Sequence, residues 1–175
     1  FTFGTAMTTF VGQNVGAMKI DRVRKGTRDG LKIGVTTSVV LVGLILIFGK
    51  FLMGLFTNTE EVIEVSYEMM CILGIGYIGV AINQILSGTI RGAGDTMTPM
   101  WIALATTTLI RLPIAYGMVY LTKSEALPTG EPRSIYYSLV IAWVMGALIT
   151  SIIYKIGRWA KRARIGGKIV DISNM

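Results

Sequence analysis

Five long apolar runs, separated by short charged segments, organise this sequence. They cover residues near 1–18, 31–56, 67–90, 98–121 and 134–156. Residues 33–49 and 69–90 contain no charged side chain at all. An α-helix rises about 1.5 Å per residue, so about 22 residues reach roughly 33 Å and cross the hydrocarbon core of a bilayer. The first run is rich in Thr and Gly and is the weakest of the five. The pattern predicts an all-α, polytopic membrane protein with about five transmembrane helices.

The connections alternate in charge. Residues 19–28 are basic, 57–64 hold three acids and no base, and 91–95 hold one charge of each sign. Residues 123–133 are balanced and rich in Pro and Gly, and 154–168 carry six cations. Basic connections stay on the cytoplasmic side. This places the first, third and fifth connections inside and the second and fourth outside. Residues 161–175 then form a cytoplasmic tail, polar enough beyond 165 to be disordered. The protein is expected in the cytoplasmic (inner) membrane, with the lipid bilayer as its solvent.

Composition narrows the function classes. Of the residues, 52% are hydrophobic and 15% charged, against about 25% charged in soluble domains. The net charge of +7 is not a nucleic-acid footprint, because 12 of the 17 cations flank two apolar runs, at 19–32 and 155–168. There is no His, and the single cysteine, Cys71, lies in a span with no partner for a disulfide. Gly92-Ala93-Gly94-Asp95 matches the Gly-x-Gly-Asp string of intramembrane aspartyl proteases. That chemistry needs two neighbouring carboxylates, and Glu68, the nearest preceding acid, is a whole span away. No enzyme activity, cofactor or metal site is expected. Residues 1–18 lack a basic leader and cleavage site, so they do not read as a signal peptide; the chain reads as the C-terminal part of something longer.

Polar residues inside apolar runs are costly and mark sites. Gln13 and Asn14 end the first run, and they either link helices or contact substrate. Asn83 and Gln84 lie at or just past the centre of the third; adjacent helix positions point about 100° apart, so one can face a cavity while the other bonds a neighbour. Arg111 lies about 20 Å of helix into the fourth run, where a charge costs at least about 2.5 kcal/mol. It faces a cavity, pairs with a carboxylate elsewhere, or snorkels outward. Pro113 is expected to kink that helix. Arg91 and Asp95 either pair across the tight turn between the third and fourth runs or cap its helix ends, with Asp95 and Thr96 starting the next helix. Tyr77, Met69, Met70, Met100, Trp101, Tyr116 and Met118 either form an adaptable binding wall or face core and lipid. Trp101, Trp143 and Trp159 lie towards span ends or one turn inside, and an aromatic belt accounts for some of them.

Three motifs occur in order: Val11-Gly12-Gln13-Asn14-Val15-Gly16-Ala17, then Arg91-Gly92-Ala93-Gly94-Asp95-Thr96 with Pro99, then Arg111-Leu112-Pro113-Ile114-Ala115-Tyr116. Together they resemble the multidrug and toxic compound extrusion (MATE) family up to about Trp159. The resemblance implies a twelve-helix fold in two lobes, with residues 1–160 forming part of the C-terminal lobe and an N-terminal lobe as partner. It implies secondary export of small organic, often cationic, compounds in exchange for Na⁺ or H⁺ by alternating access. Arg91, Gly92, Gly94, Asp95, Pro99 and Pro113 would then be hinge positions. Arg111, Asn83, Gln84, Gln13 and Asn14 would be candidates for the substrate and ion pathway. The chain departs from members that carry a coupling carboxylate in the C-terminal lobe, for it has no mid-span acid; the group would lie in the N-terminal lobe. A flippase of lipid-linked saccharides and a non-transporting scaffold are the alternatives.

Overall fold

The computed structural model describes residues 2–123, 131–161, 163–165 and 168–171. Its elements are α1 (Thr2–Gly16), α2 (Ile20–Gly54), α3 (Glu60–Gly92) and α4 (Met97–Leu104), followed by a π-helical segment (Ala105–Arg111). Next come α5 (Leu112–Thr122), α6 (Arg133–Ile156), α7 (Arg158–Lys161) and the strands β1 (Ala163–Ile165) and β2 (Lys168–Val170). Four helices are long and apolar enough to cross a membrane: Ile20–Gly54, Glu60–Gly92, Met97–Thr122 and Arg133–Ile156. The 15 residues of α1 reach only about 22 Å, short of a full hydrocarbon core.

Two charged connections are helix rather than loop. The basic segment 19–28 lies almost wholly within α2, which starts at Ile20 and runs 35 residues. Lys and Arg are good helix formers, and the 21/25 and 25/29 pairs set Asp opposite Lys four residues apart. Polarity therefore marked where the helix leaves the bilayer, not where it ends. The acidic segment behaves likewise: Glu60 and Glu61 occupy the first turn of α3, where the helix dipole favours negative charge. Most of the outer connection at 123–133 lies outside the described residues, although Glu131 N–H donates to Thr122 Oγ1 at 3.0 Å and ties the ends of α5 and α6 together.

The fourth span is one helix whose middle widens into seven π-helical residues. Pro113 follows one residue later, after Leu112. Its ring would clash with the carbonyl four residues back, and it has no N–H to give; wide turns upstream accommodate both. A π-helical stretch thus stands just before the position where a kink is expected.

The core sits where α1 crosses α3. The two run parallel, Gly4 against Gly88 and Thr8 against Gly92, close enough that a Cβ on Gly92 would stand 2.6 Å from the Thr8 carbonyl oxygen. Thr8 Oγ1 donates to Gly4 O at 2.9 Å, with Gly88 O at 3.2 Å. The six residues from Ile85 to Ile90 are buried on every side. From α2, Val23 and Thr27 complete this core, and Thr27 Oγ1 meets Thr89 Oγ1 at 3.2 Å. Small residues permit this approach, which lipid itself does not drive.

Trp159, Ala160 and Ala163 are buried in the same core. Beyond 165, where the sequence predicts disorder, Lys168–Val170 forms β2, paired antiparallel with β1. Trp159 stacks on Tyr154 with centroids 5.6 Å apart and planes 2° from parallel. It is a packing residue, not part of an aromatic belt. Within 161–175, residues 162, 166–167 and 172–175 lie outside the described residues.

Candidate functional site

The hinge motif is built as a turn, residue by residue. Gly94 N–H donates to Arg91 O at 2.9 Å and Asp95 N–H to Ile90 O at 3.2 Å, the bond pair that closes a helix through a left-handed residue. Gly94 is that residue, at φ 96°. Asp95, 7% exposed, then opens the next helix: its carboxylate accepts from Thr98 N–H at 3.0 Å and from the Thr98 hydroxyl at 2.6 Å. Pro99 is buried in the first turn that follows. Arg91 does not bridge to Asp95. It runs back along α3, so that Arg91 Nη2 and Gln84 Oε1 both lie 3.4 Å from the place a Gly4 Cβ would take. A side chain's lean towards its helix's N-terminus carries the guanidinium that way.

Asn83 and Gln84 take different neighbours. Asn83 Oδ1 accepts from Thr150 Oγ1 on α6 at 2.7 Å and from Ser87 Oγ at 3.3 Å. Gly146 and Thr106 complete this contact, a Cβ on Gly146 falling 3.5 Å from Asn83 Nδ2 and 3.6 Å from Thr106 Cγ2. Asn83 is a knot among α3, α6 and the π-helical segment. Gln84 instead lines an open-sided cavity of about 320 Å³ bounded by Phe3 of α1, Thr37, Ser38, Leu41, Val42 and Ile45 of α2, and Tyr77, Val80 and Ala81 of α3. Tyr77 is braced from behind by Trp143, centroids 5.4 Å apart. None of the lining residues is charged.

The remaining candidates lie apart from the cavity. Gln13 is exposed, and Asn14 Nδ2 donates within its own helix to Phe10 O at 2.8 Å. Arg111 is half-buried at the end of the π-helical segment, and no ion pair among the described residues involves it. Of the aromatic and methionine set, only Tyr77 lines the cavity; Trp101 is 61% and Tyr116 74% exposed on apolar faces. Thr37, Ser38 and Phe3 escaped the sequence reading. Hydroxyls and a lone ring in a Val- and Thr-rich run give no signal until the helix pairing is known.

Sequence comparisons agree with this architecture. The sequence model of the MatE family matches residues 1–117. The chain is 28% identical over 172 residues to the "Probable multidrug resistance protein NorM" of Thermotoga maritima, covering 93% of this chain and 34% of that protein. It is 26% identical over 144 residues to the "Probable multidrug resistance protein YoeA" of Bacillus subtilis, covering 81% and 31%. Against the "Multidrug resistance protein PmpM" of Pseudomonas aeruginosa it is 25% identical over 162 residues, covering 93% and 33%. The chain thus spans about a third of the length of these relatives. With the family match covering most of an apolar, multi-helix chain, this protein is a multi-pass membrane protein that belongs to the MatE family of transporters.

Proposed function

We propose that the chain serves secondary multidrug efflux, exporting small organic, often cationic, compounds in exchange for Na⁺ or H⁺ by alternating access. In this reading it is part of one lobe of a twelve-helix transporter and rocks against a second, N-terminal lobe. The basic ends of α2 and α6 face the cytoplasm of the inner membrane, by the charge rule that fixes loop orientation. A coupling carboxylate would lie in the other lobe.

The observation that carries the proposal is the cavity between α1, α2 and α3. Its aromatic and aliphatic walls offer area to a flat organic cation, and Tyr77 and Phe3 offer π faces. Gln84, Thr37 and Ser38 supply hydrogen bonds that many ligands can use. At about 320 Å³ it is at the small end of ligand pockets, as expected of half a site. A flippase handling pyrophosphate-linked sugars would need cations along such a wall, and the lining residues include none.

The test is ethidium efflux from cells expressing the full-length protein. Gln84→Ala is expected to slow efflux about two- to tenfold at equal expression, the worth of one hydrogen bond. Wild-type rates in that variant and in Tyr77→Ala together would sink the cavity as the substrate site.

A further inference from the structure

A second cavity, of about 590 Å³, opens at the other end of the bundle between α2 and the corner joining α6 to α7. Arg24, Thr27, Arg28 and Leu31 line one wall, and Tyr154, Lys155, Ile156, Gly157, Trp159 and Ala160 the other. We infer that this cavity binds the phosphate headgroup of an anionic phospholipid.

Three observations point to that ligand. Charge is the first: among the described residues the lining holds Arg24, Arg28 and Lys155 and no carboxylate. Among the described residues, no acid forms an ion pair with Arg28 or Lys155, and all three cations are exposed at the rim. Asp21 and Asp29 share α2 but do not line the cavity. The carbonyl end of α6 works against an anion, with a charge equivalent to about −0.5, and Lys155 in its last turn offsets it.

Depth is the second. Leu31 opens the apolar stretch of α2, and Ile156 closes that of α6. The cavity therefore straddles the level at which both helices leave the hydrocarbon, where lipid phosphates lie. Basic pockets between membrane helices at this level are the places where anionic headgroups dock.

Shape is the third. Gly157, at φ 74°, turns the chain sharply out of α6, and the stacked Tyr154 and Trp159 rings form a rigid floor between that corner and Thr27. Leu31, Ile156 and Ala160 make the wall below the cations apolar. Soluble phosphate would gain nothing from that wall, whereas a glycerol backbone with its first acyl carbons is covered by it. The site uses only this chain's residues and holds whether or not the efflux reading does.

The experiment follows quenching of Trp159 by lipid. The full-length protein, with every tryptophan except Trp159 replaced by phenylalanine (Trp101→Phe and Trp143→Phe among them), is purified in detergent. Phosphatidylglycerol brominated on its acyl chains is titrated in, with brominated phosphatidylcholine as the zwitterionic arm. Quenching is expected to saturate with phosphatidylglycerol, to need far more phosphatidylcholine, and to resist millimolar inorganic phosphate. Arg28→Gln with Lys155→Gln should weaken it about 30-fold, since each cation near a lipid surface contributes about a factor of five. Arg28→Lys with Lys155→Arg should keep it, which separates lost charge from lost fold. Equal quenching by the two lipids, or no effect of the Gln pair, overturns the proposal. Displacement by inorganic phosphate assigns the site to a soluble anion instead and overturns the lipid assignment.

Discussion

Two neighbouring turns close the parallel helices α1 and α3 with the same hydrogen bonds and different residues. After α3, Gly94 N–H bonds Arg91 O and Asp95 N–H bonds Ile90 O; after α1, Met18 N–H bonds Val15 O at 3.0 Å and Lys19 N–H bonds Asn14 O at 2.8 Å. Both turns pass through the left-handed region, Gly94 at φ 96° and Met18 at φ 58°. Glycine takes that conformation at no steric cost, whereas a side chain pays about 1–2 kcal/mol. The hinge after α3 is thus a relaxed turn, and the one after α1 is strained. Asp95 then secures the α3 turn with two bonds to Thr98. The α1 turn has only Lys19 at the start of α2, with no side-chain cap. One family-like motif is therefore explained by turn geometry alone, while the other is not.

The largest effect is expected in the packing beneath the α3 turn. Gly92→Val drives methyls into the Thr8 carbonyl and Val11, and backbone cannot give way there as a flexible side chain can. Overpacking costs about 1–3 kcal/mol, so a large loss of monodisperse protein on size exclusion after mild heating is expected. Gly94→Ala taxes φ, for a loss of about 1–2 kcal/mol and a clear fall in melting temperature. Met18→Gly should move the other way by up to about 1 kcal/mol, its relief partly offset by the looser unfolded chain. An unchanged or lower melting temperature for Met18→Gly would mean that the α1 turn is unstrained. Away from both turns, Asn83→Ala removes the acceptor that joins α3 to α6. A drop of about 0.6 kcal/mol, the mean for such bonds in membranes, is the smallest of these effects.

Much of this was legible in the sequence, for reasons that differ by region. The long spans were readable because bare apolar runs of about 20 residues have few other uses. The ends of α2 and α3 were not, because charge reports where a helix meets water and says nothing of where it stops. The burial of Trp159, Ala160 and Ala163 was not legible either: they are scattered among cations, and only the fold brings them into one cluster with Val11, Val15 and Val23. At the site, Asn83 and Gln84 were visible as amides in an apolar helix. Their division of labour was not, since it depends on Thr150, 67 residues away, and on Ser38 across the cavity. Arg111 was conspicuous in the sequence for its charge, yet it is not among the residues that line the cavity.

If the cavity between α1, α2 and α3 receives the exported compound, bound ligand shields its wall from chemical labelling. In the full-length protein, Cys71→Ser removes this chain's one native thiol, and Gln84→Cys places a reporter in the cavity wall. Glu61→Cys, exposed in the acidic first turn of α3, supplies the control. Saturating ethidium is expected to slow labelling at position 84 by a soluble methanethiosulfonate reagent at least about tenfold, as expected when the ligand buries most of its own surface in a pocket, and to leave position 61 unchanged. Equal labelling of position 84 with and without ethidium would contradict a substrate site in this cavity.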